Sequence, residues 1–192
     1  MTNPSEPDRP RPANQGRRVA ARNRAALIGA AREVFAEQGL NAPLSTVARR
    51  AGVGQGSLYR HFADRVALAS AVLDENVRQI ETAAAEPDAT LTSVLGVVTW
   101  HITRSTAFVD LLRVRGGDEQ GRELSARVRG VLAGCTPVGR GLSADELMLA
   151  IAMVSGAVAG PTLADRERLA FAAWGLLGVE VGPLRSVDLA ED

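Results

Sequence analysis

The residues best suited to chemistry form one short polar run, at Gln55, Ser57, Tyr59, Arg60 and His61. Every side chain in this run carries a hydrogen-bond donor. Donors of these kinds bind the phosphate oxygens and the base edges of nucleic acids. None of these residues stands in a nucleophile-elbow, phosphate-loop or metal-ligand pattern. The run therefore favours a binding surface over a catalytic centre.

Around this run, the sequence predicts two short helices joined by a tight turn. We expect the first helix at about 44–51, the turn at 52–54 and the second helix at about 55–62. Gly52 is able to adopt the left-handed conformation that ends the first helix. The apolar residues that pack the pair together and anchor it to a core are Val47, Ala48, Ala51, Val53, Leu58 and Phe62. Because such short helices are unstable alone, the longer helices on either side must support them.

The composition favours helices throughout the chain. Apolar residues make up 46% of it and aromatic residues only 4%. Alanine and leucine, which are strong helix formers, are abundant, and alternating β-branched stretches are missing. A single cysteine, Cys135, excludes an internal disulfide, and no stretch approaches the roughly 18 uninterrupted apolar residues of a membrane span. We therefore expect an all-α, soluble, cytoplasmic protein without a membrane partner.

The charge of the chain is divided between its two parts, although the total is zero. Residues 1–65 carry 11 arginines and five acidic residues, a net charge of +6, which leaves the remainder at −6. A basic end joined to an acidic body indicates that only the first part meets phosphates. Arg17, Arg18, Arg22 and Arg24 either extend this basic surface toward a DNA backbone or minor groove or form a solvated charge run.

The same segment resembles the signature of the TetR family of transcriptional regulators. The matching residues are Ala48-x-x-Ala51-Gly52-Val53, Gly56-Ser57-Leu58-Tyr59-x-His61-Phe62 and Arg65-x-x-Leu68, preceded by Val34-Phe35-Ala36-Glu37-Gln38-Gly39. As a combined pattern, these residues are highly specific. Gly54 departs from the family, in which Ser is common at this position, so the second short helix must be capped from elsewhere.

The resemblance implies an N-terminal three-helix helix-turn-helix DNA-binding domain and a C-terminal helical domain that binds an effector and dimerises. It makes residues 55–62 the recognition helix, with Gln55 and Arg60 as base-reading candidates. Arg65 stands where the family usually has a phosphate-binding Lys, whereas Tyr59 is alternatively a packing residue with a wet hydroxyl. The DNA-contacting residues so predicted are Ser45, Thr46, Gln55, Gly56, Ser57, Tyr59, Arg60, His61 and Arg65.

We divide the chain into four parts. Residues 1–16 are rich in proline and polar groups, which predicts a disordered arm. Residues 17–65 are assigned to the DNA-binding domain and residues 66–181 to the helical domain for ligand binding and dimerisation. Residues 182–192 are expected to form a loose tail.

Local signals predict where the longer helices begin and end. Gly39 is expected to end the first helix, and Asp64 to cap the helix that follows the recognition helix. Ser143 and Glu146 have the spacing of a capping box, and Asp165 is the expected cap of the last helix.

The second half of the chain has no motif of its own. Several of its large side chains are candidates to line an effector pocket: Trp100, His101, Arg104, Phe108, Met148, Phe171 and Trp174. Each of them is more commonly a core or interface residue. Because the chain has only two histidines, a metal cluster is not expected. We expect no cofactor, only a small-molecule effector of unknown identity.

Residues 147–160 are apolar on most of their surface, which is typical of a helix buried on more than one side. Together with the final helix they predict a four-helix bundle between two subunits. The small residues that allow close approach are Ala150, Ala152, Ser155, Gly156 and Ala159. The alternative is that this helix belongs only to the core of its own domain.

These observations predict a homodimeric repressor that binds a near-palindromic double-stranded DNA operator and is released by a small-molecule effector. The two recognition helices are expected to enter successive major grooves about 34–36 Å apart. A small helical enzyme and a helical protein–protein module are the alternatives. Detectable turnover favours the enzyme, and absent or salt-insensitive DNA binding favours the interaction module.

Overall fold

A computed structural model describes residues 12–105, 119–135 and 141–187, and these ranges contain helices but no strand. The helices are α1 (Pro12–Gln38), α2 (Leu44–Arg50), α3 (Gln55–His61), α4 (Arg65–Ala85), α5 (Leu91–Arg104), α6 (Glu119–Gly134), α7 (Ala144–Ala157) and α8 (Leu163–Leu177). The all-α prediction is confirmed. Within the described ranges, no helix is both long and apolar enough to cross a membrane.

The first helix starts earlier than the sequence predicted. It begins at Pro12, inside the segment expected to be a disordered arm, while residues 1–11 lie outside the described part. Proline suits the first turn of a helix because the missing N–H would have no partner there. At the other end, Gly39 has a φ of +78° and donates its N–H to the carbonyl of Phe35 at 2.9 Å. Gly39 therefore ends α1 as predicted.

Two hydrophobic cores share helix α4. The N-terminal core consists of the buried apolar residues of α1, α2, α3 and the first part of α4, from Leu27 to Val72. The C-terminal core runs from Val77 to Val187 and takes in α5 to α8. The boundary between the two cores therefore lies inside α4, between Val72 and Val77, whereas we expected it at residue 65. The 21 residues of α4 span about 32 Å, enough to serve both cores.

Side-chain caps fix the starts of several helices. The Asp64 carboxylate accepts the N–H of Ala67 at 2.8 Å at the start of α4. The capping box of Ser143 and Glu146 is present at α7. The last helix is capped by Thr162 rather than Asp165, because the Thr162 hydroxyl accepts the N–H of Asp165 at 3.1 Å. Asp165 is thus three residues inside the cap.

The segment after α8 is packed against the C-terminal domain as far as Val187, where a loose tail was expected from residue 182. The Gly182 N–H donates to the Thr92 carbonyl at 2.9 Å, Arg185 pairs with Glu86, and Val187 is buried. The sequence did not indicate this packing, because the segment has no regular secondary structure and is held only by tertiary contacts. Residues 188–192 lie outside the described part.

Candidate nucleic-acid interface

The turn between α2 and α3 is closed by two backbone hydrogen bonds around Gly52. The Gly52 N–H donates to the Arg49 carbonyl at 3.2 Å, and the Val53 N–H donates to the Ala48 carbonyl at 3.0 Å. This pair of bonds is a Schellman motif, which requires a left-handed residue at its centre. Gly52 supplies it with a φ of +68°. The angle between the two short helices is therefore determined by a glycine.

One side of the helix pair is packed onto α1 and α4. Val47 and Ala48 of α2, Leu58 of α3 and Phe62 are all buried in the N-terminal core. Leu58 of α3 and Phe62, the residue directly after α3, are both buried and anchor α3 to the core, as predicted. The remaining side chains of α3 are consequently directed away from the core.

The predicted donors of α3 lie on this outward side. Gln55, Tyr59 and Arg60 are exposed, and the Tyr59 side chain has 56% of its surface accessible. Ser57 and His61 are half-buried. Gly54 stands at the start of α3 without a side-chain cap, and no described side chain provides the cap that was expected from elsewhere. An exposed tyrosine is suited to contact a ligand surface, and the DNA contacts of these residues stay predictions.

The other predicted contacts lie on or near α2. Ser45 is exposed and Thr46 half-buried in its first turn. Arg65 has a role that the sequence did not indicate, because its guanidinium donates to the carbonyls of Leu40, at 2.6 Å, and Ala42. Arg65 thereby holds the loop that leads into α2. Its phosphate contact stays a prediction.

The two arginines that end α2 differ in their surroundings. Arg50 donates two hydrogen bonds to the Glu37 carboxylate, at 2.7 and 2.8 Å, which ties α2 to α1 and holds the pKa of Glu37 below its usual value. Arg49 is exposed and forms no ion pair with any described residue. Arg17 and Arg22 are likewise exposed on α1. Exposed guanidinium groups thus remain on α1 and at the end of α2.

Known proteins share this segment. Residues 27–72 match the family described as "Bacterial regulatory proteins, tetR family", and the match has the same limits as the N-terminal core. TtgW of Pseudomonas putida, described as an uncharacterized HTH-type transcriptional regulator, is 34% identical over 111 residues, which span 53% of this chain and 81% of TtgW. The chain belongs to the TetR family.

Solved structures of TetR-family proteins share the fold over most of the chain. The TetR transcriptional regulator SCO0520 from Streptomyces coelicolor is 27% identical, with a TM-score of 0.55 over 86% of this chain and 99% of that one. CprB from Streptomyces coelicolor, solved in complex with its biological operator sequence, is 22% identical, with a TM-score of 0.52 over 82% of this chain and 87% of that one. The resemblance drawn from the sequence is confirmed: this TetR-family protein is a DNA-binding transcription regulator with a helix-turn-helix.

The predicted pocket residues of the TetR-family protein are only partly brought together. Trp100 and His101 meet edge to face at 5.0 Å, and the Arg104 guanidinium lies 4.9 Å from the centre of the Trp100 ring. Trp174 belongs to the C-terminal core and donates its indole N–H to the Thr99 hydroxyl at 2.9 Å. Met148 is half-buried and Phe171 exposed, whereas Phe108 lies outside the described residues. Their pocket role stays a prediction.

Proposed function

We propose that the protein is a homodimeric repressor that binds a near-palindromic operator and leaves it when a small-molecule effector occupies the C-terminal domain. It would act in the cytoplasm, where bacterial chromosomal DNA lies. The observation that carries the proposal is the outward side of α3, where Gln55, Tyr59 and Arg60 are exposed while Leu58 holds the opposite side in the core. Because the core fixes one side of α3, the donors on its other side are available to the major groove of DNA.

The donors divide by chemistry into two roles. Arg60 has the planar fork that recognises guanine with two hydrogen bonds, and Gln55 can pair with adenine in the same way. Ser45, Thr46 and Tyr59 carry hydroxyl groups, which are suited to phosphate oxygens. Contacts to phosphate fix the position of the protein on DNA, and contacts to bases provide sequence specificity.

The dimer is supported by the exposed sides of α7 and α8, which pack against each other. Leu149 and Met153 of α7 and Phe171 and Leu176 of α8 are exposed apolar residues. Large exposed apolar patches typically mark interaction sites. Of the small residues predicted to allow close approach, Gly156 and Ala159 are exposed and Ala152 half-buried, whereas Ala150 and Ser155 are buried within their own subunit.

Helix α4 provides the connection between effector and DNA. Its first turns belong to the N-terminal core, and farther along, Asp74 and Glu81 both accept hydrogen bonds from Arg127 of α6, at 2.7 Å each. A change in the C-terminal helices would therefore move the recognition helices through α4. An effector releases DNA only if it binds the released arrangement more tightly than the bound one.

The proposal is tested by binding of the purified protein to DNA from upstream of its own gene across a salt series. Arg60→Ala should weaken specific binding about 5- to 150-fold and relax the preference at one base position. Tyr59→Phe should weaken binding to all sequences alike, because it removes a phosphate donor. Arg129→Ala is the matched control, since it removes the same charge from an exposed site on α6.

Failure would be clear from two results. Equal loss of affinity in Arg60→Ala and Arg129→Ala would exclude base recognition by α3. If selection from genomic fragments also yielded no preferred sequence, the protein would not be a sequence-specific repressor.

A further inference from the structure

A cavity of about 300 Å³ lies between α1 and α4, near the point where packing passes from one core to the other. Its lining includes Ala25, Ile28, Gly29 and Arg32 from α1, with Glu75 and Arg78 from α4. This volume is at the lower end of those that hold small organic ligands. The cavity contains none of the residues predicted to line the effector pocket.

Arg32 is a half-buried cation without a direct partner among the described residues. Its Nε is buried and donates no hydrogen bond, and Arg32 forms no ion pair with any residue in the described ranges. Arg78, on the facing helix, is already paired with Asp74 at 3.0 Å and Glu75 at 3.2 Å. Arginine is rarely buried unless it is paired, because removing its charge from water is unfavourable. The cavity is therefore lined by a guanidinium that no carboxylate of the described residues contacts directly.

The same surroundings affect the pKa of Arg32. Burial lowers the pKa of its guanidinium, and the attraction of Glu75 and Glu33 does not offset this. An anion that reached Arg32 would replace the lost solvation with a charge-assisted hydrogen bond.

We propose that this cavity binds a small organic carboxylate. The planar fork of a guanidinium matches a carboxylate with two parallel hydrogen bonds. Arg24 also lines the cavity, so three guanidinium groups and one carboxylate face it, which favours an anion. Inorganic phosphate has no apolar part to contact Ala25 and Ile28, whereas an organic carboxylate does. Ala25 and Ile28 provide an apolar wall for the rest of the ligand, and the space beside Gly29 is open, with no other heavy atom within 4 Å of its Cβ position.

The position of the cavity gives such a ligand a structural effect. It would contact α1, whose core residues all belong to the N-terminal core, and Glu75 and Arg78 on α4, beyond Val72 where that core ends. The bound carboxylate would therefore hold α1 and α4 together at the junction of the two cores. This site is distinct from the effector site proposed for the C-terminal domain, and it does not depend on the repressor assignment.

The test is the thermal stability of the full chain with benzoate or hexanoate, at an ionic strength kept constant with sodium chloride. We expect a saturable rise in Tm, of roughly 3–5 °C at ten times Kd, for at least one of these carboxylates. Inorganic phosphate is the comparison probe and should give a smaller rise. Stabilisation by phosphate alone, or by no probe, would overturn the proposal.

Three variants locate the binding. Arg32→Gln removes the guanidinium, and Gly29→Leu fills the cavity while leaving Arg32 in place, so each should abolish the carboxylate-dependent rise in Tm. Arg22→Gln is the control, because Arg22 lies on the same helix but does not line the cavity. Persistence of the rise in both Arg32→Gln and Gly29→Leu would show that the carboxylate binds elsewhere.

Discussion

His101 occupies a site in which a protonated imidazole is strongly unfavourable. The residue is fully buried on α5, and the guanidinium groups of Arg32 and Arg104 add repulsion to the loss of solvent. Together they lower its pKa from 6.5 to about 3. The ring is therefore neutral near pH 7 and packs edge to face against Trp100. The sequence identified His101 as a pocket candidate, but burial and repulsion of this kind depend on helices distant in sequence.

This depressed pKa predicts an acid-dependent loss of stability. Below pH 6.5 the unfolded state binds a proton at His101 while the folded state does not, until the pH approaches the folded pKa of about 3. Stability should therefore fall by about 1.4 kcal/mol per pH unit within this window. Between pH 7.5 and 5.0, urea denaturation should show that His101→Gln loses about 2 kcal/mol less than the unmodified protein.

An NMR titration of the His101 ring provides an independent check of this prediction. Its signals should keep the chemical shifts of a neutral imidazole from pH 8 to pH 5. A midpoint above pH 5 would contradict the burial of the ring.

At the scale of helices, the sequence correctly predicted the helix ends that are determined by a neighbouring residue. Gly39 and Gly52 end α1 and α2 through positive φ, and Asp64 caps α4. Local signals did not predict features that depend on contacts between segments distant in sequence. The packing of residues 182–187 was missed because it depends on contacts with α5, where Gly96 lies against the carbonyl of Pro183. Of the predicted DNA contacts of α3, Gln55, Tyr59 and Arg60 are exposed, whereas Ser57 and His61 are half-buried. The hydrogen bonds of Arg65 to the loop before α2 could not be predicted, because that loop is distant in sequence.

The docking of the C-terminal segment predicts opposite effects for two identical substitutions. A Cβ at Gly96 would lie 2.5 Å from the Pro183 carbonyl oxygen, so Gly96→Ala should displace the segment and lower stability. A Cβ at Gly130, inside α6, would meet no other heavy atom within 4 Å. Gly130→Ala should therefore raise stability by about 0.5–1 kcal/mol through helix propensity.

Chemical denaturation measures the stability difference, and limited proteolysis after Arg185 reports displacement of the segment. Faster cleavage is expected in Gly96→Ala but not in Gly130→Ala. Equal gains in stability from both substitutions would show that the segment is not held against α5.

At the scale of the whole molecule, the long helix α4 joins the N-terminal and C-terminal cores. The N-terminal core positions the exposed donors of α3, and the family match at residues 27–72 ends with it. The C-terminal core is completed by α7 and α8, whose outer sides remain apolar. Two half-sites on DNA can be bound together only if two such chains are joined. Repression would therefore require a dimer formed through the outer sides of α7 and α8.

Met153 tests this dependence. It lies on α7 with 54% of its surface exposed, and a charge there would be buried without a partner in a four-helix interface, which is strongly unfavourable. Met153→Asp should therefore shift the protein from dimer to monomer in sedimentation equilibrium and weaken operator binding by at least about tenfold, since the two half-sites would no longer be bound together. Val66→Asp is the matched control, because Val66 is 66% exposed at the start of α4, outside the proposed interface. Its dimer should persist, and if both variants remained dimeric, the subunits would have to meet on another surface.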